Sequence, residues 1–350
     1  MKIDNRFIGM GQPPYVIAEV SGNHGKELGK ALQMIDIAKA CGADAVKFQT
    51  YKPDSLSIPS DLPEFRITSG TWKGWTLYEL YQEASTPYEW FPELFRYGRE
   101  IGITVFSSPF DTPAVDLLAQ LDAPAYKIAS NELTDWPLIE RTVATGRPVI
   151  LSTGTATLLE IDQTVEFLHE LEAPSFALLH CISAYPAPVE AANLKAISEL
   201  ASRFNVPIGL SDHSLGTNVA IAATALGAAI IEKHFVMDRS EGGPDSSFAL
   251  EPDELKELVD RCRETFTSLG DGAFGMKESE KASPIYRKRF YSCKPIEAGQ
   301  SLSENNVRTI RSPHGIEAKE YRRVYSCRAV TDIPEYTPIG FDMLTEGPVE

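Results

Sequence analysis

The chain is short of positive charge, has no paired cysteine motif and contains no long apolar run. Each shortage removes a class of function. Lysine and arginine number 33 against 49 aspartates and glutamates, a net charge of −16 over 350 residues. A balance of that sign is repelled by nucleic acid and by anionic membrane surfaces, so neither is an expected partner. Any anionic ligand must be met by cations gathered at one place. The five cysteines (Cys41, Cys181, Cys262, Cys293 and Cys327) are scattered, odd in number and form no C-x-x-C. That suits reduced thiols and a cytoplasmic setting better than a disulfide framework. No stretch approaches the ~18 apolar residues of a membrane span. The opening segment MKIDNRFIGMGQPPYV lacks the apolar core of a signal peptide. The turn after the first strand-like run, VSGNHGKELG, lacks G-x-G-x-x-G, which argues against a dinucleotide-binding open sheet.

What is present is a rhythm. Eight short apolar runs recur between residues 14 and 235: YVIAEV, ADAVKFQT, ITVFSSP, PAYKIAS, PVILST, FALLHCISAY, PIGLSDH and AIIEKHF. Helical patterns separate them at Leu28–Cys41, Tyr88–Ile101, Thr112–Leu121, Pro137–Thr145, Leu158–Leu171, Leu194–Phe204, Asn218–Leu226 and Pro252–Leu269. Strand then helix, repeated eight times over roughly 250 residues, predicts an α/β fold, a (β/α)8 TIM barrel. The segment Tyr51–Ser85 is too long for an ordinary connection and reads either as a lid over the active-site face or as a packed decorative loop. After Gly270 the pattern stops. The expected division is a catalytic barrel over residues 1–275, a polar linker over 276–289 and a small β-rich domain over 290–350, docked on a barrel because its own core is marginal.

Nearly every run ends in a chemically capable side chain, where a barrel places its active site. Ser211-Asp212-His213 and Glu232-Lys233-His234 end the last two strands, so His213 and His234 meet as a start for a divalent metal site. With no cysteine ligand beside them, hydrated Mn²⁺ or Mg²⁺ fits better than structural zinc. Lys47 and Lys127 lie within strands and can point into the barrel mouth. With the hydroxyls of Ser107, Ser108, Ser130, Ser152 and Ser211 they read as a cradle for phosphate and carboxylate. A Schiff-base role and plain ion pairs with Glu19 or Glu132 are the alternatives. Glu19 can serve as a general base for water, or simply as a lysine partner. Tyr185 and Asp245 lie in loops on the same face and can hydrogen-bond a polyol.

Together the motifs IAEVSGNHG, GADAVKFQTY, SSPFD, YKIAS-x-E, ILSTG, CISAYPAP, GLSDHSLG, EKHF and GGPD resemble the sialic acid synthase family, in order and across the whole barrel. The tail resembles that family's C-terminal antifreeze-like (SAF) domain, with VRTIRSPHG at its Arg-Pro-Gly-like loop. Within the family, YKPDS, TLYELYQEASTPYEW, FSSPFD, CISAYPAP and GGPDSSFALEPDE are most similar to the branch that makes pseudaminic acid. Ser183 and Phe48 stand where members making N-acetylneuraminate usually carry Asn and His. Those departures argue for a more apolar sugar pocket.

The resemblance implies condensation of phosphoenolpyruvate with a 2,4-diacetamido-2,4,6-trideoxy hexose, 6-deoxy-AltdiNAc, with a divalent metal, Mn²⁺ before Mg²⁺ or Co²⁺. Phosphoenolpyruvate would be bound by Lys47, Ser108, Lys127, Ser130, Ser152, Ser183 and Ser211. The sugar would be held by Gln49, Glu132, Tyr185, Asp245 and Arg311. Glu19, Lys127, His213, Glu232 and His234 would act in catalysis. The resemblance also implies a domain-swapped homodimer in which Arg311 crosses to its partner. Legionaminate or N-acetylneuraminate synthesis, a metal-dependent barrel hydrolase and a carbohydrate-binding protein are the competing readings.

Overall fold

A computed structural model describes residues 1–70, 72–281 and 286–346. Residues 282–285 of the expected linker and 347–350 of the expected tail domain lie outside the described residues. The chain divides into two compact units, Met1–Asp271 and Gly272–Glu350.

The first unit is a closed barrel of eight parallel strands. These are β1 Tyr15–Glu19, β2 Ala45–Thr50, β3 Thr104–Pro109, β4 Tyr126–Ile128, β5 Val149–Ser152, β6 Phe176–Cys181, β7 Ile208–Asp212 and β8 Ile230–His234. Each pairs with the next, and β8 closes on β1 with His234 beside Glu19. Helices follow the strands close to the bounds read from periodicity, for example Leu28–Ala40, Asn218–Ala225 and Pro252–Leu269. Glycine at Gly42 and Gly102 stops two of them in the left-handed backbone region.

Two apolar layers explain why the strands form. Val16, Ala18, Val46, Ile128 and Leu210 face outward into the core shared with the helices. Ile17, Ala45, Phe106, Ile150 and Leu179 fill the barrel interior with Ile3 and Ile8 from the N-terminal segment. Because successive strand side chains alternate faces, the inward row turns polar only where the strands end. Lys47, Lys127, Ser211 and Glu232 fall there.

The two tripeptides at the ends of β7 and β8 show the alternation most clearly. Their outer residues face the barrel mouth, whereas the middle ones, Asp212 and Lys233, pair with each other at 2.7 Å and do not line it. Lys233 Nζ also donates to the Ser214 carbonyl.

The second unit contains an antiparallel pair, Arg287–Ser292 with Val307–Ser312, and a shorter pair, Cys327–Ala329 with Leu344–Glu346. Phe290, Ile296, Val307, Val324 and Ile339 form its small core. Among the described residues, no helix is long and apolar enough to cross a membrane.

Candidate active site

At the C-terminal ends of the strands lies a cavity of about 500 Å³. Glu19, Lys47, Gln49, Ser108, Lys127, Ser130, Glu132, Ser152, Ser183, Tyr185, Ser211, His213, Glu232, His234 and Asp245 all line it. Arg311 belongs to the second unit, on the strand Val307–Ser312 opposite Lys288.

Four charges form the floor. Lys47 is 3% exposed, Lys127 2%, Glu19 1% and Glu232 5%. Lys47 Nζ sits 2.8 Å from Glu19 Oε2 and 3.7 Å from Glu232 Oε1, and donates to Ser108 Oγ at 3.1 Å. Lys127 Nζ donates to Ser152 Oγ at 2.7 Å and lies 3.7 Å from the same Glu232 oxygen. Ser211 Oγ adds a hydrogen bond to Glu232 at 3.1 Å. Burial works against the charges of Lys47, Lys127 and Glu232, and their partners oppose it with different results. Glu19 and Glu232 together outweigh burial at Lys47 and hold its ammonium above the usual lysine value. At Lys127 burial wins despite Glu232, with Lys47 adding to it, so this ammonium is held below the usual value. Burial would raise Glu232, but the two lysines override it and keep its carboxyl well below the usual range.

Gln49 Nε2 donates to Glu19 Oε1 at 2.9 Å and to Ser21 Oγ at 3.1 Å, so both Glu19 oxygens are engaged. Ser130 and Ser183 flank Gly154. A Cβ at that glycine would lie 2.3 Å from Ser183 Oγ and 2.6 Å from Ser130 Oγ, so glycine keeps both hydroxyls in place. The Gly154 amide donates to Ser130 Oγ at 3.0 Å.

On the other side the rings of His213 and His234 lie 5.2 Å apart. His213 Nδ1 is 3.0 Å from the Ile182 carbonyl, which fixes the Nδ1–H tautomer and leaves the Nε2 lone pair available. His234 Nδ1 is 3.3 Å from Asp245 Oδ2. Burial would raise Asp245, but the imidazoles of His234 and His213 and the Ser21 hydroxyl keep it below the usual range. Two imidazoles, each with Nδ1 facing an oxygen, suit a divalent ion. Among the described residues no group of three histidine, cysteine, aspartate or glutamate side chains is placed to hold one. Water and substrate oxygens would have to complete the shell, as in a hydrated site.

Glu132 lies in a turn after β4 with Oε2 buried and lacking a hydrogen-bond partner. Burial raises its pKa to about 7, with Lys127 opposing the shift. The folded protein therefore holds this proton more tightly than the unfolded chain does. Its contribution to stability is full below the ordinary glutamate value and is lost as pH rises through about 7. Glu132→Gln is expected to gain stability relative to the parent at pH 8 but not at pH 4. Thermal melts of both proteins across that range check it; a difference independent of pH would contradict it.

Two sequence expectations change. Ser107 points away from the cavity and shares a 2.7 Å hydrogen bond with Thr50, because Ser108 takes the inward position. Phe48 lies in the core against the helices, since Lys47 and Gln49 occupy the inward face of β2. It cannot make the sugar pocket apolar. The segment Tyr51–Ser85 is largely ordered into turns and helices, including Pro53–Leu56 and Leu77–Ala84. It roofs the cavity through Leu56, Ile67, Trp72, Leu80 and Tyr81. Trp72 Nε1 donates to the Pro244 carbonyl at 2.6 Å and its ring lies 5.4 Å from Tyr185, which lies 4.4 Å from His213. Thr71, beside it, lies outside the described residues. Cavity residues not anticipated include Ser21, Tyr51, Phe110 and Cys181. Each follows or ends a strand and lies within one of the motifs quoted above.

Residues 34–274 match the NeuB family. A pseudaminic acid synthase from Campylobacter jejuni subsp. jejuni serotype O:23/36 (strain 81-176) is 42% identical over 319 residues, 91% of this chain and 93% of its own. The pseudaminic acid synthase of Helicobacter pylori (strain ATCC 700392 / 26695) is 38% identical over 338 residues, 95% of this chain and 98% of its own. Among solved structures, an N-acetylneuraminic acid synthetase from Leptospira borgpetersenii serovar Hardjo-bovis in complex with citrate is 35% identical, with a TM-score of 0.73 over 81% of this chain and 94% of that one. With these relatives, and with the barrel whose strand ends carry the motifs, the chain belongs to the NeuB family, the sialic acid synthases.

Proposed function

We propose that this enzyme is a pseudaminic acid synthase, condensing phosphoenolpyruvate with 6-deoxy-AltdiNAc and water to give pseudaminic acid and phosphate. The observation that carries the reading is the convergence of two buried lysines on Glu232 inside one cavity, in a chain 42% identical to a synthase of that product. A barrel hydrolase or a binding module has no use for two desolvated ammonium groups beside a ring of hydroxyls.

Phosphoenolpyruvate would take Lys47 and Lys127 as its counter-charges, with Ser108, Ser130, Ser152, Ser183 and Ser211 donating to its remaining oxygens. Gln49, Glu132, Tyr185 and Asp245 would hold the open-chain sugar. C3 of phosphoenolpyruvate forms the new bond to the aldehyde carbon with the electron pair of its C2=C3 double bond, and the aldehyde oxygen takes up a proton from water. Positive character then develops at C2, where the buried carboxylates Glu232 and Glu19 stabilise it. Glu19 takes a proton from water as its oxygen attacks C2. The carbon–oxygen bond to phosphate breaks in the collapse of the tetrahedral intermediate. Family resemblance supports one more sugar contact, Arg311 from the tail of a partner copy in a domain-swapped homodimer.

The charge balance supports a metal on His213 and His234. Lys47 and Lys127 face Glu19 and Glu232, so the floor is near neutral before Asp245 is counted. A multiply charged anion needs more positive charge than that. When bound, a divalent ion, Mn²⁺ first, would supply Lewis-acid polarisation of the sugar aldehyde. His213→Ala is expected to weaken Mn²⁺ binding by about 10- to 100-fold, comparable to losing a group that supports a metal site. Calorimetric titration of metal into protein without substrates checks it; an unchanged titration removes the ligand assignment.

The function itself is tested by phosphate release from phosphoenolpyruvate with Mn²⁺ and one of three sugars: 6-deoxy-AltdiNAc, its manno counterpart 6-deoxy-MandiNAc, or ManNAc. Mass spectrometry identifies the product. Preference for the first is expected. Preference for another keeps the chemistry and changes the sugar. No release with any would overturn the reading.

A further inference from the structure

The cavity is polar on its floor and apolar on its roof, and the roof comes from one segment. Helix Leu77–Ala84 begins with a capping box, in which Thr76 Oγ1 accepts from the Glu79 amide and Glu79 returns to the Thr76 amide. Capping fixes the start of the helix, and with it the face that meets the cavity. Leu77, Leu80, Tyr81 and Ala84, at i, i+3, i+4 and i+7, all line the cavity. The helix is seated by close approach of Gly22, where a Cβ would lie 2.7 Å from the Ala84 Cα. Leu56 and Ile67 extend the surface, and Phe110 joins it from the end of β3. Tyr51 braces it from behind with ring centroids 5.9 Å from Tyr81 and 5.2 Å from Phe110.

An amphipathic helix ordinarily turns its apolar stripe into a core. Here the stripe faces a substrate cavity, and Leu77 and Tyr81 are only half-buried. Apolar surface kept wet in this way is stabilised when a ligand brings apolar groups to it. The phosphoenolpyruvate end of the site has lysines and hydroxyls and gains nothing from leucines. We infer that Leu56, Ile67, Leu77, Leu80 and Tyr81 form a specificity wall for the methyl groups of the sugar, above all the deoxygenated C6. This rests on the pseudaminate reading and deepens it. The proposed sugar carries three methyl groups, one at C6 and two on its acetamido groups. A sugar with a C6 hydroxyl would leave that hydroxyl against carbon, without a partner.

The test compares 6-deoxy-AltdiNAc with the same sugar bearing a C6 hydroxyl, using kcat/KM for each at saturating phosphoenolpyruvate. The parent enzyme is expected to favour the deoxy sugar by about 10- to 100-fold, the discrimination available to an apolar pocket. Ile67→Thr and Leu80→Asn are each expected to lower that ratio by about tenfold, chiefly through the KM of the deoxy sugar. Thermal melts identify which variants are folded; Ile67→Thr keeps the β-branched shape at a half-buried position and covers the case in which Leu80→Asn unfolds. A ratio unchanged in the folded variants, or no preference in the parent, overturns the wall while leaving the synthase reading intact. Failure of the parent to turn over either sugar overturns both.

Discussion

Replacing Lys127 by methionine is expected to lower kcat/KM for phosphoenolpyruvate by about 30- to 4,000-fold, since losing one partner of a buried charge pair costs about 2–5 kcal/mol and each 1.4 kcal/mol is tenfold. The loss should fall mainly in binding. Lys127 lies 3.7 Å from Glu232 and hydrogen-bonds Ser152, so it is a pre-placed cation on the floor of the cavity. Its ammonium is also held below the usual lysine value by burial and by Lys47. A bound anion would oppose both, because it adds negative charge beside the ammonium. Methionine keeps most of the side-chain volume and removes the charge, which separates electrostatics from packing. Steady-state kinetics and direct titration of phosphoenolpyruvate into the metal-loaded enzyme check it. An unchanged KM would remove Lys127 from the anion cradle.

Glu19→Gln is expected to have the opposite signature. General-base contributions are typically about 10²- to 10⁴-fold, and the fall should appear in kcat. The KM for phosphoenolpyruvate should not rise. Glu19 now holds Lys47 at 2.8 Å, and the neutral amide would release that lysine to the substrate. The same contact accounts for the alternative reading of Glu19 as a lysine partner: in the unliganded enzyme it is one. Near-normal kcat with metal and both substrates saturating would show that it is nothing more. The two variants therefore test opposite ends of one electrostatic arrangement, binding at Lys127 and turnover at Glu19.

Periodicity brought the strand-end residues to one cavity. The eight runs end in residues that line it, and parallel strands in register bring strand ends together, so His213 meets His234 and Lys47 meets Glu19. The errors came from the same period of two. Ser107 and Phe48 each sit one residue from an inward-facing neighbour and therefore face the other way. For Phe48 this has a consequence, because the expected apolar character of the pocket rests on Ser183, which lines the cavity, and on Phe48, which never reaches it. That character comes instead from Leu77–Ala84, whose T-x-x-E capping box and i, i+3, i+4, i+7 stripe were present in the sequence. A stripe predicts that one helix face is covered. It does not say whether the cover is core or ligand, and only the barrel around it decides. Cys181, beside His213 Nδ1 at 3.8 Å, opens the motif CISAYPAP, yet neither that nor its place at a strand end assigns it a role.

The most direct test of the account is a crystal structure of the enzyme with phosphoenolpyruvate and Mn²⁺. The expected result is phosphoenolpyruvate seated between Lys47 and Lys127, with both ammonium groups and Ser152 Oγ within hydrogen-bond distance of its oxygens. Lys47 should have turned from Glu19 toward the ligand, and the metal should lie against His213 and His234. Phosphoenolpyruvate bound elsewhere, or bound in the cavity with Lys47 still on Glu19 and Lys127 making no contact with it, would contradict it.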